Sequence, residues 1–213
     1  MKKTNLFLVG LILFISAKSS VLTESPLLSI ISFFIALIVF LSRQLKIDRT
    51  YIFFTLVYFL FSMFYFFVFD FVDTLYIVFF YMLLTYAYLT IKIVRYDFFK
   101  FFHQIVYVLS LLSLPFFILQ LINFDFTFRL VGLIQDIIPF LDNNNDMFAN
   151  NFIFSIEKAG AVYRNSGFAW EPKGFANFFI LAIIINSVLY NFKINKKIII
   201  IIIALMTTFS TVG

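Results

Sequence analysis

Chemistry-bearing side chains crowd into one stretch of an otherwise apolar chain: Tyr163-Arg164-Asn165-Ser166-Gly167-Phe168-Ala169-Trp170-Glu171-Pro172-Lys173-Gly174-Phe175. Arg164 carries a planar five-donor fork suited to phosphate or pyrophosphate. Glu171 adds a carboxylate that could orient that fork or take a proton. Gly167 and Gly174 permit tight backbone or the close approach of a ligand. Pro172 fits the first position of a helix, where its missing N–H costs nothing. The same residues are compatible with plainer roles, an Arg164–Glu171 salt bridge or an arginine snorkelling to lipid headgroups. An arginine at mid-membrane would cost about 2.5–3.5 kcal/mol, so Arg164 is expected in a loop or a wet cavity.

Other candidates are weaker. Trp170, the single tryptophan, suits an interface anchor or a sugar-stacking platform. Arg129 could meet a lipid phosphate. His103 is the single histidine and the chain has no cysteine, so no metal site is expected and His103 reads as an interfacial residue. Asp70 and Asp73 read as a solvated acidic turn. Gln120 and Asn186 are polar residues inside apolar runs, where helix–helix hydrogen bonds are the usual use. The sequence holds no glycine-rich phosphate loop, HExxH pair or nucleophile elbow.

The elements that must carry these residues follow from composition. The 213 residues are 63% hydrophobic and 13% charged, about half the charge of a soluble domain. So little charge cannot cover a surface facing water, and several apolar runs are long enough to cross lipid. The net charge of +5 sits in short loops rather than on one face, which excludes a nucleic-acid footprint. Without cysteine there are no disulfides or thiolate metal sites. The abundant Phe and Ile read as lipid-facing bulk.

The predicted fold is all-α: a polytopic transmembrane helix bundle forming a single integral-membrane domain over 1–213, with about seven spans. They lie near residues 5–17, 27–41, 51–69, 74–91, 101–122, 174–190 and 198–213. The first run follows Met1-Lys2-Lys3 like a signal peptide, but Ile15-Ser16-Ala17 makes a poor cleavage site, so it is read as a helix. Pro115 is expected to kink the fifth span. With the N-terminus in the cytoplasm, every short loop obeys the positive-inside rule: Arg43, Lys46, Arg49, Lys92, Arg95, Lys100, Lys193, Lys196 and Lys197 all fall inside. Residues 123–173 then form one long external loop, far beyond a typical connection. Its first part, Phe126 to Leu141, reads as a helix lying in the outer interface or tucked into the bundle. Pro139 and Asp142-Asn143-Asn144-Asn145-Asp146 break it, and a second short amphipathic piece, about Met147 to Ile156, leads to Arg164. The last run has no polar flank before Gly213, so the chain reads as incomplete at its C-terminus.

Arg164-x-x-Gly167, then Glu171-Pro172, then Gly174-Phe175-Ala176 opening a helix, resembles the Wzy-type O-antigen polymerases and the related O-antigen ligases. Ser210-Thr211-Val212-Gly213 resembles the start of the family's next Ser/Gly element. The likeness covers Tyr163 to Gly213. It implies a multi-pass protein of the bacterial inner membrane that acts in lipopolysaccharide or capsule biosynthesis. The implied reaction transfers glycan from an undecaprenyl-pyrophosphate carrier to a sugar hydroxyl on a lipid-linked acceptor, with no metal and no cofactor. It implies Arg164 and Glu171 as catalytic residues, with Arg129, Gly167, Trp170, Lys173 and Ser210 as substrate contacts. The partners implied are the lipid-linked oligosaccharide, membrane lipid and polysaccharide-assembly proteins. Family members continue for several more helices and a second external loop, so this chain corresponds to their N-terminal part.

The ligase is the alternative within the family. A transporter or flippase of lipid-linked oligosaccharide is the alternative of another class, but it should show paired broken helices and midplane charge, whereas only Pro115 interrupts a span. A non-catalytic membrane scaffold is the third. The orientation makes a direct prediction: a topology reporter inserted within 143–145 reads as extracytoplasmic, and a cytoplasmic readout would reverse the whole arrangement.

Overall fold

The computed structural model describes residues 2–17, 26–69, 74–137, 148–158, 163–169 and 171–209. Among these, eight helices and one two-stranded sheet form: α1 (Lys2–Ala17), α2 (Pro26–Ser42), α3 (Arg49–Phe69), α4 (Thr74–Val94), α5 (Asp97–Ile122), α6 (Phe124–Ile137), β1 (Phe148–Asn150), β2 (Ser155–Glu157), α7 (Pro172–Leu189) and α8 (Lys196–Thr207). Each of the seven apolar runs is helical over most of its described residues. Four helices, α3, α4, α5 and α7, are long and apolar enough to cross a membrane. In the described residues α2, α1 and α8 run for 17, 16 and 12 residues. The acidic turn at Asp70 and Asp73, and the breaker from Pro139 to Asp146, lie outside the described residues.

Several helices begin before the apolar run that announces them, because polar residues start them. Asp97 opens α5, where a carboxylate favours the positive end of the helix dipole, and Lys100 pairs with it at 3.5 Å. Asp48 caps α3, its Oδ1 accepting the Tyr51 N–H at 3.2 Å. Asn195 caps α8 the same way, accepting from the Ile198 N–H at 3.0 Å.

The chain divides into two compact units, residues 1–8 with 26–95 and residues 9–25 with 96–213. In the first, α2 packs on α4. It buries Ser29, Ser32, Ala36 and Phe40, three of them small enough to let backbones approach closely. The α3–α4 contact is of another kind. Tyr51, Thr55 and Tyr58 recur on one stripe of α3 and meet α4 through hydroxyls. Tyr51 Oη lies 2.8 Å from Tyr81 Oη and 3.0 Å from Thr85 Oγ1, and Tyr58 Oη donates to the Ile77 carbonyl at 2.7 Å. The other faces of α3 expose Phe53, Phe54, Phe61, Phe64 and Phe67, as expected of a helix facing hydrocarbon.

One end of this unit is tied by charge. Lys92 on α4 forms an ion pair with Asp48, which also accepts from Tyr88 Oη at 3.1 Å. Arg43 donates to the Ile93 carbonyl at 3.2 Å and to Asn5 Oδ1 at 2.9 Å. Residues that read in the sequence only as loop charges therefore also close helix ends, where cations favour terminal carbonyls.

In the second unit α5, α7 and α8 pack on one another. Phe175, Ala176, Phe179, Ala182, Ile185 and Asn186 line the buried stripe of α7, and Ile198, Ile201 and Ala204 that of α8. Asn186 bonds the α8 cap, accepting from Asn195 Nδ2 at 3.1 Å. Gln120 is buried with its Oε1 unpartnered. His103, read as interfacial, is buried beside Tyr190, with ring centroids 5.9 Å apart. Pro115 sits inside a continuous α5. Asn123 then redirects the chain into α6, its side chain accepting from the Phe126 N–H at 3.0 Å.

α6 is the helix expected near the start of the long loop, and it packs against the sheet. The piece from Met147 to Ile156, read as amphipathic, is a β-hairpin over its described residues. Phe148, Ala149 and Asn150 pair antiparallel with Glu157, Ile156 and Ser155. Two adjacent asparagines make the turn: Asn150 Oδ1 accepts from the Phe152 N–H at 2.8 Å, and Asn151 Oδ1 from the Phe154 N–H at 2.8 Å. Phe152 takes a positive φ of 68° between them. Phe117, Val131, Ala149, Phe154 and Ile156 form a small core joining the end of α5, α6 and the hairpin.

The Lys92 hydrogen bond is the main reason the Asp48 carboxyl titrates below its usual 3.8, and the Tyr51 and Tyr88 bonds act in the same direction. A depressed carboxylate stabilises the fold above its unfolded pKa, and that contribution is lost as pH falls through the lower folded value. Asp48→Asn should therefore lower thermal stability at neutral pH, with the gap to wild type closing below about pH 4. A gap that stays constant down to pH 2 would show that the Asp48 charge and its ion pair do not set it.

Candidate functional site

The segment 163–169 is held from several sides within the second unit. The Ser155 N–H donates to the Gly167 carbonyl at 2.7 Å, attaching it to the start of β2. The Ala169 N–H closes a turn on the Ser166 carbonyl at 3.0 Å. Gly167 is the second residue of that turn, with φ +50°, a value that glycine adopts without steric cost. Phe168 is fully buried, its ring 5.5 Å from Phe14, 5.5 Å from Phe175 and 5.2 Å from Phe178. Tyr163 stacks on Phe124 at 5.2 Å, which sets the segment against α6.

Asn165 is the deepest polar attachment. Its Nδ2 donates to Thr207 Oγ1 at 2.9 Å on α8 and to Ser113 Oγ at 3.2 Å on α5. Its Oδ1 accepts from the Gly167 N–H at 3.0 Å, and its own N–H donates to the Thr207 carbonyl at 3.0 Å. Sequence reading passed over Asn165 because asparagine in a turn is unremarkable; nothing in the sequence links it to Ser113 or Thr207.

Arg164 precedes this anchor directly and is exposed. Among the described residues it makes no hydrogen bond and no ion pair. The Arg164–Glu171 salt bridge considered from sequence is not formed. Glu171 is also exposed and occupies the cap position of α7 in extended backbone, without a side-chain cap bond. Its carbonyl accepts the Phe175 N–H at 3.2 Å. Pro172 stands in the first turn of α7 as expected, followed by exposed Lys173. A Cβ on Gly174 would stand 3.5 Å from the Ala169 Cβ, so the turn lies close against the start of α7. Arg129 is exposed on α6, the helix that Tyr163 touches. Trp170 and Ser210 lie outside the described residues.

No family model, curated protein or solved structure matches this chain. The chemistry of the segment therefore rests on its own side chains. Among the described residues it offers a guanidinium and a carboxylate without ion pairs, and an ammonium beside the positive end of a helix, next to a turn held by buried contacts. No three metal-ligating side chains cluster among the described residues.

Gly167 gives the sharpest local test. A Cβ there would fall 2.1 Å from a Phe175 ring carbon, on top of the cost of a positive φ. Gly167→Ala should destabilise by roughly 2–4 kcal/mol, summing left-handed strain and overpacking. Thermal unfolding in detergent or lipid measures it. A change below about 0.5 kcal/mol would mean the turn is not held as described.

Proposed function

We propose that this protein is a repeat-unit polymerase for a bacterial polysaccharide, O-antigen or capsule, working at the outer face of the inner membrane. It would transfer a glycan from undecaprenyl pyrophosphate to a lipid-linked acceptor sugar. The observation that carries this reading is an exposed Arg164, unpaired among the described residues, just before a turn that is held by buried bonds and packs against the N-terminal end of an apolar helix. An arginine already engaged by a carboxylate would have little left for a diphosphate. A free one on fixed backbone is pre-organised for it.

In this reading the acceptor hydroxyl attacks the anomeric carbon of the donor glycan. The bond from that carbon to the pyrophosphate oxygen breaks, and the pyrophosphate leaves on its undecaprenyl chain. Arg164, with Lys173 near it in sequence, offsets the charge gathering on the leaving group. The hydroxyl proton goes to Glu171, whose carboxylate has no ion pair among the described residues and so is available as base. Arg129, Trp170 and Ser210 remain candidate contacts for the two large substrates, whereas Gly167, also implied as a contact, is buried with its N–H and carbonyl both bonded within the fold; polysaccharide-assembly proteins remain candidate partners. The ligase reading uses the same residues with another acceptor, and transport of lipid-linked oligosaccharide remains the competing class.

Arg164→Ala should collapse the long-chain glycan ladder in cells whose surface polysaccharide depends on this protein, while membrane insertion is unchanged. Arg164→Lys should recover only part, since an ammonium lacks the bidentate fork. A ladder of normal length in Arg164→Ala would reject the reading.

A further inference from the structure

The hydrogens around Asn165 can be accounted for one by one. Ser113 Oγ donates to the Ser110 carbonyl at 3.1 Å, and Thr207 Oγ1 donates to the Ala204 carbonyl at 2.7 Å. Each hydroxyl therefore has its proton engaged within its own helix and turns lone pairs outward. The two hydrogens of the Asn165 Nδ2 fill those lone pairs, and its Oδ1 takes the Gly167 N–H. Flipping the amide would set oxygen against two hydroxyl oxygens and nitrogen against an N–H, so one orientation is fixed. Asn165, Ser113 and Gly167 are all buried, where water cannot replace a lost partner. The Asn165 N–H also closes one of the carbonyls that the end of α8 leaves open.

We infer that Asn165 is a positioning residue for Arg164: its carboxamide clasps α5, α8 and the Gly167 turn together and thereby fixes where the adjacent guanidinium stands. The inference rests on the polymerase reading for its functional half and on the hydrogen-bond geometry alone for its structural half. Asparagine is required on chemical grounds. Aspartate has the same shape but sets an oxygen against two hydroxyls whose protons are already given to carbonyls of their own helices, so either those bonds break or oxygen faces oxygen. Leucine would leave the Gly167 N–H buried without a partner. The clasp also joins Arg164 to Thr207 at the far end of α8, so a displacement of that helix end would be felt at the guanidinium.

The chain has no cysteine, so a single introduced thiol reports on one place. The full chain in lipid vesicles, carrying a nitroxide on Arg164→Cys, should give a restricted spectrum. Adding Asn165→Asp should loosen it, and Ser113→Ala or Thr207→Val should do so more weakly. A label on Lys173→Cys should be unaffected by all three. In the arginine-bearing chain, Asn165→Asp should lower glycan transfer by about tenfold or more, with Ser113→Ala between it and wild type. Should Asn165→Asp fail to insert, the two hydroxyl variants carry the same comparison. An unchanged spectrum at 164 in every variant would overturn the clasp. A loosened spectrum with full transfer, where Arg164→Ala abolishes it, would overturn the positioning role. If Arg164→Ala is itself silent, the transferase reading falls, while the spectra still decide the clasp.

Discussion

A polar group among apolar helices has no water to fall back on, and this constraint orders the described structure. Every unpaired donor or acceptor in hydrocarbon costs on the order of kilocalories. The hydroxyls of Tyr51, Tyr81 and Thr85 therefore turn toward one another between α3 and α4. Ser110 and Ser113 return their protons to carbonyls of their own helix. Asn186 meets the asparagine that caps the next helix. Packing of apolar side chains alone would distinguish poorly between helix–helix and helix–lipid contact, since both are equally apolar. The pairs of polar atoms supply the register that hydrophobicity cannot.

The helices were legible for the same reason that their arrangement was not. Apolar runs separated by short basic loops mark most helix starts within a few residues, and α5 begins early where Asp97 stands in its first turn. Which face of each run turns inward was hidden, because Phe and Ile occur on all sides of α3 and α8. Thr55 and Tyr58 look like ordinary members of an aromatic span until Tyr81 and Ile77 stand opposite. The hairpin at 148–157 was misread because its strands are three residues each, too short to show alternation. Its real signal was Asn150-Asn151, whose side chains replace the missing backbone partners of a turn.

The candidate site divides along similar lines. Arg164, Glu171, Gly167 and Pro172 could be picked out by residue type alone, and Pro172 and Gly167 have the backbone roles their types suggest. Invisible from sequence was that the Arg164–Glu171 pair is not a pair. Sequence proximity invites a salt bridge, yet an exposed one contributes about 0–1 kcal/mol. That is too little to bend a segment already fixed by Phe168 and Asn165. Contacts with long sequence separation, Ser113 to Asn165 and Asn165 to Thr207, determine where the charges stand, and no local pattern encodes them.

Arg43 and Arg164 use their donors in opposite ways. Arg43 lies between helix ends and gives its donors to the Ile93 carbonyl and to Asn5, so its charge is consumed by the fold. Arg164 directly precedes Asn165, which is bonded on four sides, yet its own donors meet none of the described residues. A side chain serving only stability gains nothing from so rigid a base, because its entropy is lost only when its donors are bound. A side chain awaiting an anionic partner does gain. The segment's order is in place before binding, so less of the contact energy goes to arranging the site. On the proposed reading the buried amide and the exposed guanidinium would be two parts of one device, the first carrying the structural requirement and the second open to an anionic ligand.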